Sequence, residues 1–154
     1  MSEFVDTNVF VRVLARDNPA RLAASLALFK RAERGEVDLV TSEAIVAEVV
    51  YVLSSNVLYK LGRSDIVTLL KPMIDIKGLK IDRKREILAA LNLYGSSRLD
   101  FEDCLAVTHS QKRTKGRIYS YDRDFDKAAG IQRLEPPAPE PASASNSKKN
   151  IVNS

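Results

Sequence analysis

The sequence predicts an α/β domain in which a short, mainly parallel central sheet is covered on both faces by helices. Three observations lead there. Short apolar runs alternate with longer helical patterns, as in chains built from βαβ units. Helix start and stop signals fall between those runs, among them Asn18-Pro19, Ser42, Gly35 and Gly116. The chain has 154 residues, 45% hydrophobic and 29% charged, and a globular domain of that size buries about 68–70% of its unfolded surface without staples.

Taken in order, Phe4-Val5-Asp6 reads as a short buried strand that runs into a first helical turn at Val9-Phe10-Val11. Asn18 caps the next helix with Pro19 at its first position, and Gly35 stops it. Val37–Val40 is a second strand, after which Ser42 caps a long helix expected to end near Gly62. A helix follows Ser64, bent or shortened by Pro72, because proline lacks the N–H that the ladder needs. Leu79–Ile81 is a third strand, Asp82 caps a helix to about Tyr94, and Gly95 closes it. Asp100 starts a helix to about Lys112, Gly116 breaks it, and Arg117–Tyr121 and Ile131–Leu134 are the fourth and fifth strands. From Pro136 the composition turns to Pro, Ala, Ser, Asn and Lys, which cannot bury enough apolar surface to offset chain entropy. The expected division is a domain over 1–135 and a disordered tail over 136–154.

Composition also excludes chemistry. One cysteine, Cys104, cannot form an internal disulfide, and one histidine with one cysteine is too few donors for a zinc site. The run around Ala44–Leu53 is interrupted by Glu48 and is shorter than the ~20 residues of a membrane helix, and the start Met-Ser-Glu-Phe lacks a basic signal region. The expectation is a cytoplasmic protein with no membrane partner. Lys and Arg number 24 against 20 Asp and Glu, a net charge of +4, which permits an acidic polymer as partner without requiring one.

The acids sit where acids are expensive. Glu48 is the one charged residue in the run Ala44–Leu53, and an ionised carboxylate taken from water without a partner costs several kcal/mol or is neutralised. Asp6 and Asp122 follow the first and fourth strands, and open parallel sheets bind ligands at the carboxyl ends of their strands. Asp100 and Asp103 are three apart at a helix start and project from one side. Singly, these three have ordinary readings as cap, dipole partner and turn residue. Converging at one edge, four or five carboxylates require a multivalent cation, and all-oxygen ligation suits Mg²⁺ or Mn²⁺. Such cages activate water for phosphodiester hydrolysis.

Four segments carry a resemblance: Asp6-Thr7-Asn8, the helix Ser42–Glu48, Asp100-Phe101-Glu102-Asp103-Cys104-Leu105-Ala106, and Ser120-Tyr121-Asp122-Arg123-Asp124-Phe125-Asp126. In order and spacing they resemble the PIN domain, and Phe125-Asp126-Lys127 through Gly130-Ile131 to Leu134 resembles the VapC toxins of bacterial toxin–antitoxin pairs. The resemblance covers residues 1–135 and implies a PIN-like three-layer α/β/α architecture. It implies Asp6, Glu48, Asp103 and Asp122 as catalytic, metal-binding acids, with Asp100 as accessory ligand and Asp124 as competitor for the position of Asp122. Thr7, Asn8 and Ser120 would hydrogen-bond to those acids or contact phosphate. It further implies Mg²⁺- or Mn²⁺-dependent endoribonuclease activity on RNA, a homodimer, and a cognate antitoxin that inserts a segment into the site.

Among the remaining candidates, His109 lies six residues after Asp103, about 120° around the helix, and reads as structural. Cys104 belongs to an apolar set and reads as core. The basic runs Lys77–Arg85 and Lys112–Arg117 read as solvated faces, whereas Arg12 and Arg16, just after the Asp6 strand, are placed to meet RNA. Two rival functions remain. An aspartyl-phosphate phosphatase needs a second acid where this chain has Asn8, and a non-catalytic or regulatory RNA-binding module gains nothing from anions clustered near phosphate.

Overall fold

The computed structural model describes residues 1–142. The strands β1 (Ser2–Phe4), β2 (Asp38–Val40) and β3 (Leu79–Lys80) form one parallel sheet in the order β1-β2-β3, and β4 (Arg117–Tyr119) pairs in parallel with β5 (Gln132–Leu134). Helices make the crossovers: α1 (Thr7–Ala15) and α2 (Pro19–Glu33) join β1 to β2, α3 (Glu43–Ser54) and α4 (Arg63–Ile74) join β2 to β3, and α5 (Lys84–Ser96) and α6 (Phe101–Arg113) lead to β4. This is the expected α/β class with a short parallel sheet. Strand order places the ends of β1, β2 and β3 side by side, so Asp6, Thr41 and Asp82 follow three adjacent strands.

Caps follow sequence chemistry in part. Asn18 accepts from the Arg21 N–H at 3.1 Å with Pro19 next to it, and Ser42 accepts from the Ile45 N–H at 3.3 Å. Pro72 falls in the last turn of α4, where it removes the N–H that would donate to the Thr68 carbonyl, and the helix ends two residues later at Ile74. Three expectations are corrected. The helix after Ser42 ends at Ser54 rather than near Gly62, because the Ser55 carbonyl turns to accept from Leu58 and Lys60 and Lys60 enters the left-handed region at φ 51°. The cap of α5 is Arg83 rather than Asp82, with the Lys84 amine donating to the carbonyls of Ile76 and Leu79 at 2.7 Å each and tying the helix start to β3. Gly95 lies inside α5 rather than closing it, where Val67 of α4 comes within 3.1 Å of the position a Cβ would take.

The first strand is also less buried than expected. Phe4 is 61% exposed and only Val5, just past the strand, enters the core. The core instead centres on Leu39 of β2, Leu79 of β3, Phe10 of α1, Val46, Val49 and Leu53 of α3, and Ile87 and Leu91 of α5. Residues 136–142 carry no helix or strand and are exposed; the remainder of the expected tail, 143–154, lies outside the described residues.

Candidate active site

Each expected acid sits at the start of a helix or within one. Asp6 is the cap residue of α1 and Asp100 that of α6, yet neither carboxylate bonds to its own helix. The ordinary reading of Asp100 as a side-chain cap is therefore corrected, and both carboxylates are left for something else. Asp122 caps the 3-10 turn Arg123–Lys127 through Oδ1, which accepts from the Asp124 N–H at 2.9 Å, while the Asp122 N–H donates to Ser120 Oγ at 3.0 Å. Ser120 thereby fixes the turn that presents Asp122. Asp124 is exposed and pairs with Lys127 at 3.2 Å.

Glu48 differs from expectation. It is exposed, as are Ala44 and Tyr51 on the same face of α3, while Val46, Val49, Val50 and Leu53 form the buried face. The apolar run hid an amphipathic helix whose outer stripe opens onto the site. Glu48 Oε2 accepts from the Thr7 hydroxyl at 2.6 Å across from the start of α1, and Thr7 is itself buried. The base of that corner is held by buried Thr41, whose hydroxyl donates at 2.9 Å to the carbonyl of Val5, the residue before Asp6. Asn8 is exposed in the first turn of α1.

Asp103 is half-buried on the first turn of α6, and its pKa is raised above the ordinary aspartate value. Burial is the largest cause, followed by the negative charges of Asp122, Asp100, Asp124 and Glu102. These acids are thus in mutual electrostatic range, and a carboxylate in such surroundings favours either a proton or a cation. The donors are all carboxylate oxygens, which fits a hard divalent ion. Among the described residues no group of three or more His, Cys, Asp or Glu is close enough together to hold one ion. Asp122, Asp100, Asp124 and Glu102 are the acids that act on Asp103, while Asp6 and Glu48 lie at the α1–α3 corner, where Thr7 joins α1 to Glu48.

The sequence profile described as PIN domain matches residues 4–131, a span that contains every one of these acids. The chain belongs to the PIN domain family. PIN domains are in general metal-dependent nucleases that use divalent cations such as Mg²⁺ or Mn²⁺, so the chain has a nuclease fold. No curated protein matches the chain. Among the described residues, no helix is long and apolar enough to cross a membrane.

Other residues of this PIN domain take places that sequence alone left open. Arg12 is already engaged: its guanidinium donates to both oxygens of Asp17 at 2.7 and 2.8 Å, and the Tyr59 hydroxyl donates to the same carboxylate at 2.6 Å. Its charge is compensated locally, whereas Arg16, in the left-handed region at φ 55° after α1, is exposed and free of ion pairs among the described residues. His109 bridges Glu43 of α3, at 2.9 Å, and Glu86 of α5, which also accepts from Arg113 at 2.6 Å. It is a structural histidine, and Cys104 is fully buried in the core with its thiol pKa raised by that burial. Arg63 escaped notice altogether. Its guanidinium donates to the carbonyls of Leu99 at 2.6 Å, Tyr94 at 3.2 Å and Arg98 at 3.2 Å, and stacks 4.3 Å from the Tyr94 ring centroid. It staples the α5–α6 connection immediately before Asp100, and no local motif distinguishes it from a solvated arginine.

Proposed function

We propose that this PIN domain is a Mg²⁺- or Mn²⁺-dependent endoribonuclease that acts as the toxin of a type II toxin–antitoxin pair in the cytoplasm. The reading is supported by the half-buried Asp103 facing the charges of Asp122, Asp100, Asp124 and Glu102 within a PIN domain that spans residues 4–131. Asp6, Glu48, Asp103 and Asp122 would hold the ion, with Asp100 as accessory ligand. The bound ion supplies Lewis acidity for hydrolysis of a phosphodiester and offsets the charge that develops on its oxygens. The chain's own groups orient the site: the Thr7 hydroxyl holds Glu48, Ser120 holds the Asp122 turn, and Asn8 and Arg16, both exposed, would touch the RNA backbone.

The antitoxin partner would place an Arg or Lys among these carboxylates, since a guanidinium satisfies two carboxylate oxygens at once. Inhibition that works by displacing the ion weakens as Mg²⁺ rises. A homodimer is supported by Val57 and Leu58 on the α3–α4 turn, which are 90% and 58% exposed and apolar beyond the needs of one domain. Sedimentation at micromolar concentration should give a dimer; a monomer removes that part of the reading. The activity itself is tested by incubating labelled single-stranded RNA with the full chain. Cleavage with Mn²⁺, its loss in EDTA and its loss in a folded Asp103→Asn variant are expected. Equal cleavage by Asp103→Asn overturns the assignment.

A further inference from the structure

We infer that the cavity between α3 and α6 beside Asp100 is a nucleobase subsite, in which one base of single-stranded RNA stacks on Tyr51 next to the acid cluster. The inference rests on the nuclease reading above and adds a place where the substrate is read. The cavity holds about 550 Å³ and is lined by Tyr51, Asn56, Tyr94, Phe101, Asp100 and Glu102 among others, a volume within the ~300–1,000 Å³ usual for small-ligand sites.

The cavity combines three aromatic residues, Tyr51, Tyr94 and Phe101, with a polar rim of Ser54, Ser55, Asn56, Asp100 and Glu102. Tyr94 and Phe101 are buried and meet edge to face, with centroids 6.0 Å apart at 88°, and Arg63 stacked on Tyr94 keeps that floor in place. Tyr51 is different. It is 68% exposed, contributes nothing to the core, and stands one helical turn beyond Glu48 on the same outer stripe of α3. A large ring held on a helix at the mouth of a cavity is a stacking platform, and unstacked bases of single-stranded RNA are recognised on such rings.

Charge separates base from backbone. The ionisable side chains that line the cavity beside its tyrosines are the acids Asp100 and Glu102, with no Lys or Arg among them. A phosphate is repelled there, and a neutral base is not. Asn56 is exposed and offers both a donor and an acceptor, while the Ser54 hydroxyl donates to the Tyr51 carbonyl and Ser55 Oγ accepts from the Val57 N–H. Asp100 belongs both to this cavity and to the surroundings of Asp103, so a base seated on Tyr51 lies next to the candidate cleavage site.

The test uses the full chain and a 5′-labelled single-stranded RNA octamer of mixed sequence with Ca²⁺ in place of Mn²⁺, which offsets the carboxylate charge, and reads binding by fluorescence anisotropy. Tyr51→Ala is expected to weaken binding about tenfold or more, the usual effect of removing a stacking ring. Tyr51→Phe keeps the ring and should bind within twofold of the unaltered chain. Asn56→Ala should weaken binding less than Tyr51→Ala and change the order of preference among homopolymeric octamers. Both positions are exposed, and unchanged thermal melting verifies folding. Equal binding by the unaltered chain and Tyr51→Ala overturns the inference, as does an equal loss for Tyr51→Phe. A parallel assay with Mn²⁺ separates the two levels of the argument. Cleavage that persists with no effect of Tyr51→Ala on affinity removes the subsite alone, whereas absence of both binding and cleavage in the unaltered chain removes the nuclease reading and the subsite with it.

Discussion

Replacing Asp103 with Asn removes a carboxylate whose charged form is disfavoured by burial and by four neighbouring acids. With a folded pKa above the unfolded value, this group lowers stability as pH rises through that window, so it opposes folding at neutral pH. Asp103→Asn is therefore expected to melt higher than the unaltered chain in EDTA at pH 7 while losing most cleavage; a lower melting temperature contradicts the electrostatic account. Glu86 has the opposite sign. Its pKa is lowered from 4.5 to about 2, chiefly by the Arg113 hydrogen bond and then, against burial, by His109. The stability it contributes is complete above the ordinary glutamate value and lost as pH falls toward about 2. Melting curves of Glu86→Gln between pH 5 and 2 should consequently fall less steeply than those of the unaltered chain. Thr7→Val tests the one hydrogen bond to Glu48: a drop of about 10–100-fold in Mn²⁺ affinity is expected, the usual effect of losing a group that orients a ligand, and an unchanged affinity removes Thr7 from the site.

Elements hold the site through a few contacts that sequence patterns do not announce. The α5–α6 connection is fixed by Arg63, whose loss leaves three carbonyls without their charged donor and Tyr94 without its stacked partner. Arg63→Ala should cost about 2–4 kcal/mol by denaturant melting and should also loosen Asp100, seen as weaker metal binding at a temperature where the fold persists. The β4–β5 ladder depends on Gly116, at φ 83°, where an added Cβ would stand 2.0 Å from the Gly130 carbonyl oxygen. Gly116→Ala is expected to cost at least about 1–3 kcal/mol, and because this ladder carries the Ser120–Asp122 turn, cleavage should fall with it.

Across the whole molecule, periodicity and caps made the α/β class and the five strands legible, because alternating short apolar runs and capped helices are local signals. Boundaries that depend on tertiary contacts were not: Lys84 plugging two carbonyls moved the start of α5, and Val67 packing on Gly95 carried that helix past its expected stop. Asp100 and Asp103 stand at the start of α6, where the helix signals of the sequence put them. Glu48 stands out in the sequence as a charge in an apolar run, yet its helix face is exposed, and Arg12 reads as available although Asp17, five residues on, holds it. The cavity beside Tyr51 had only a faint signal, an aromatic residue on the same helical stripe as a charged one. The last strand ends at Leu134, so deletion of residues 136–154 is expected to leave the melting temperature and cleavage unchanged, and a large drop in either would show that the tail is docked. The proposed nuclease activity requires the acids to form a site for a divalent cation. Titration of Mn²⁺ into the full chain while following its melting temperature tests that most directly, because an ion that binds only the folded state raises it. A saturable rise that is abolished in Asp103→Asn is the predicted result; no rise, or the same rise in Asp103→Asn, would contradict it.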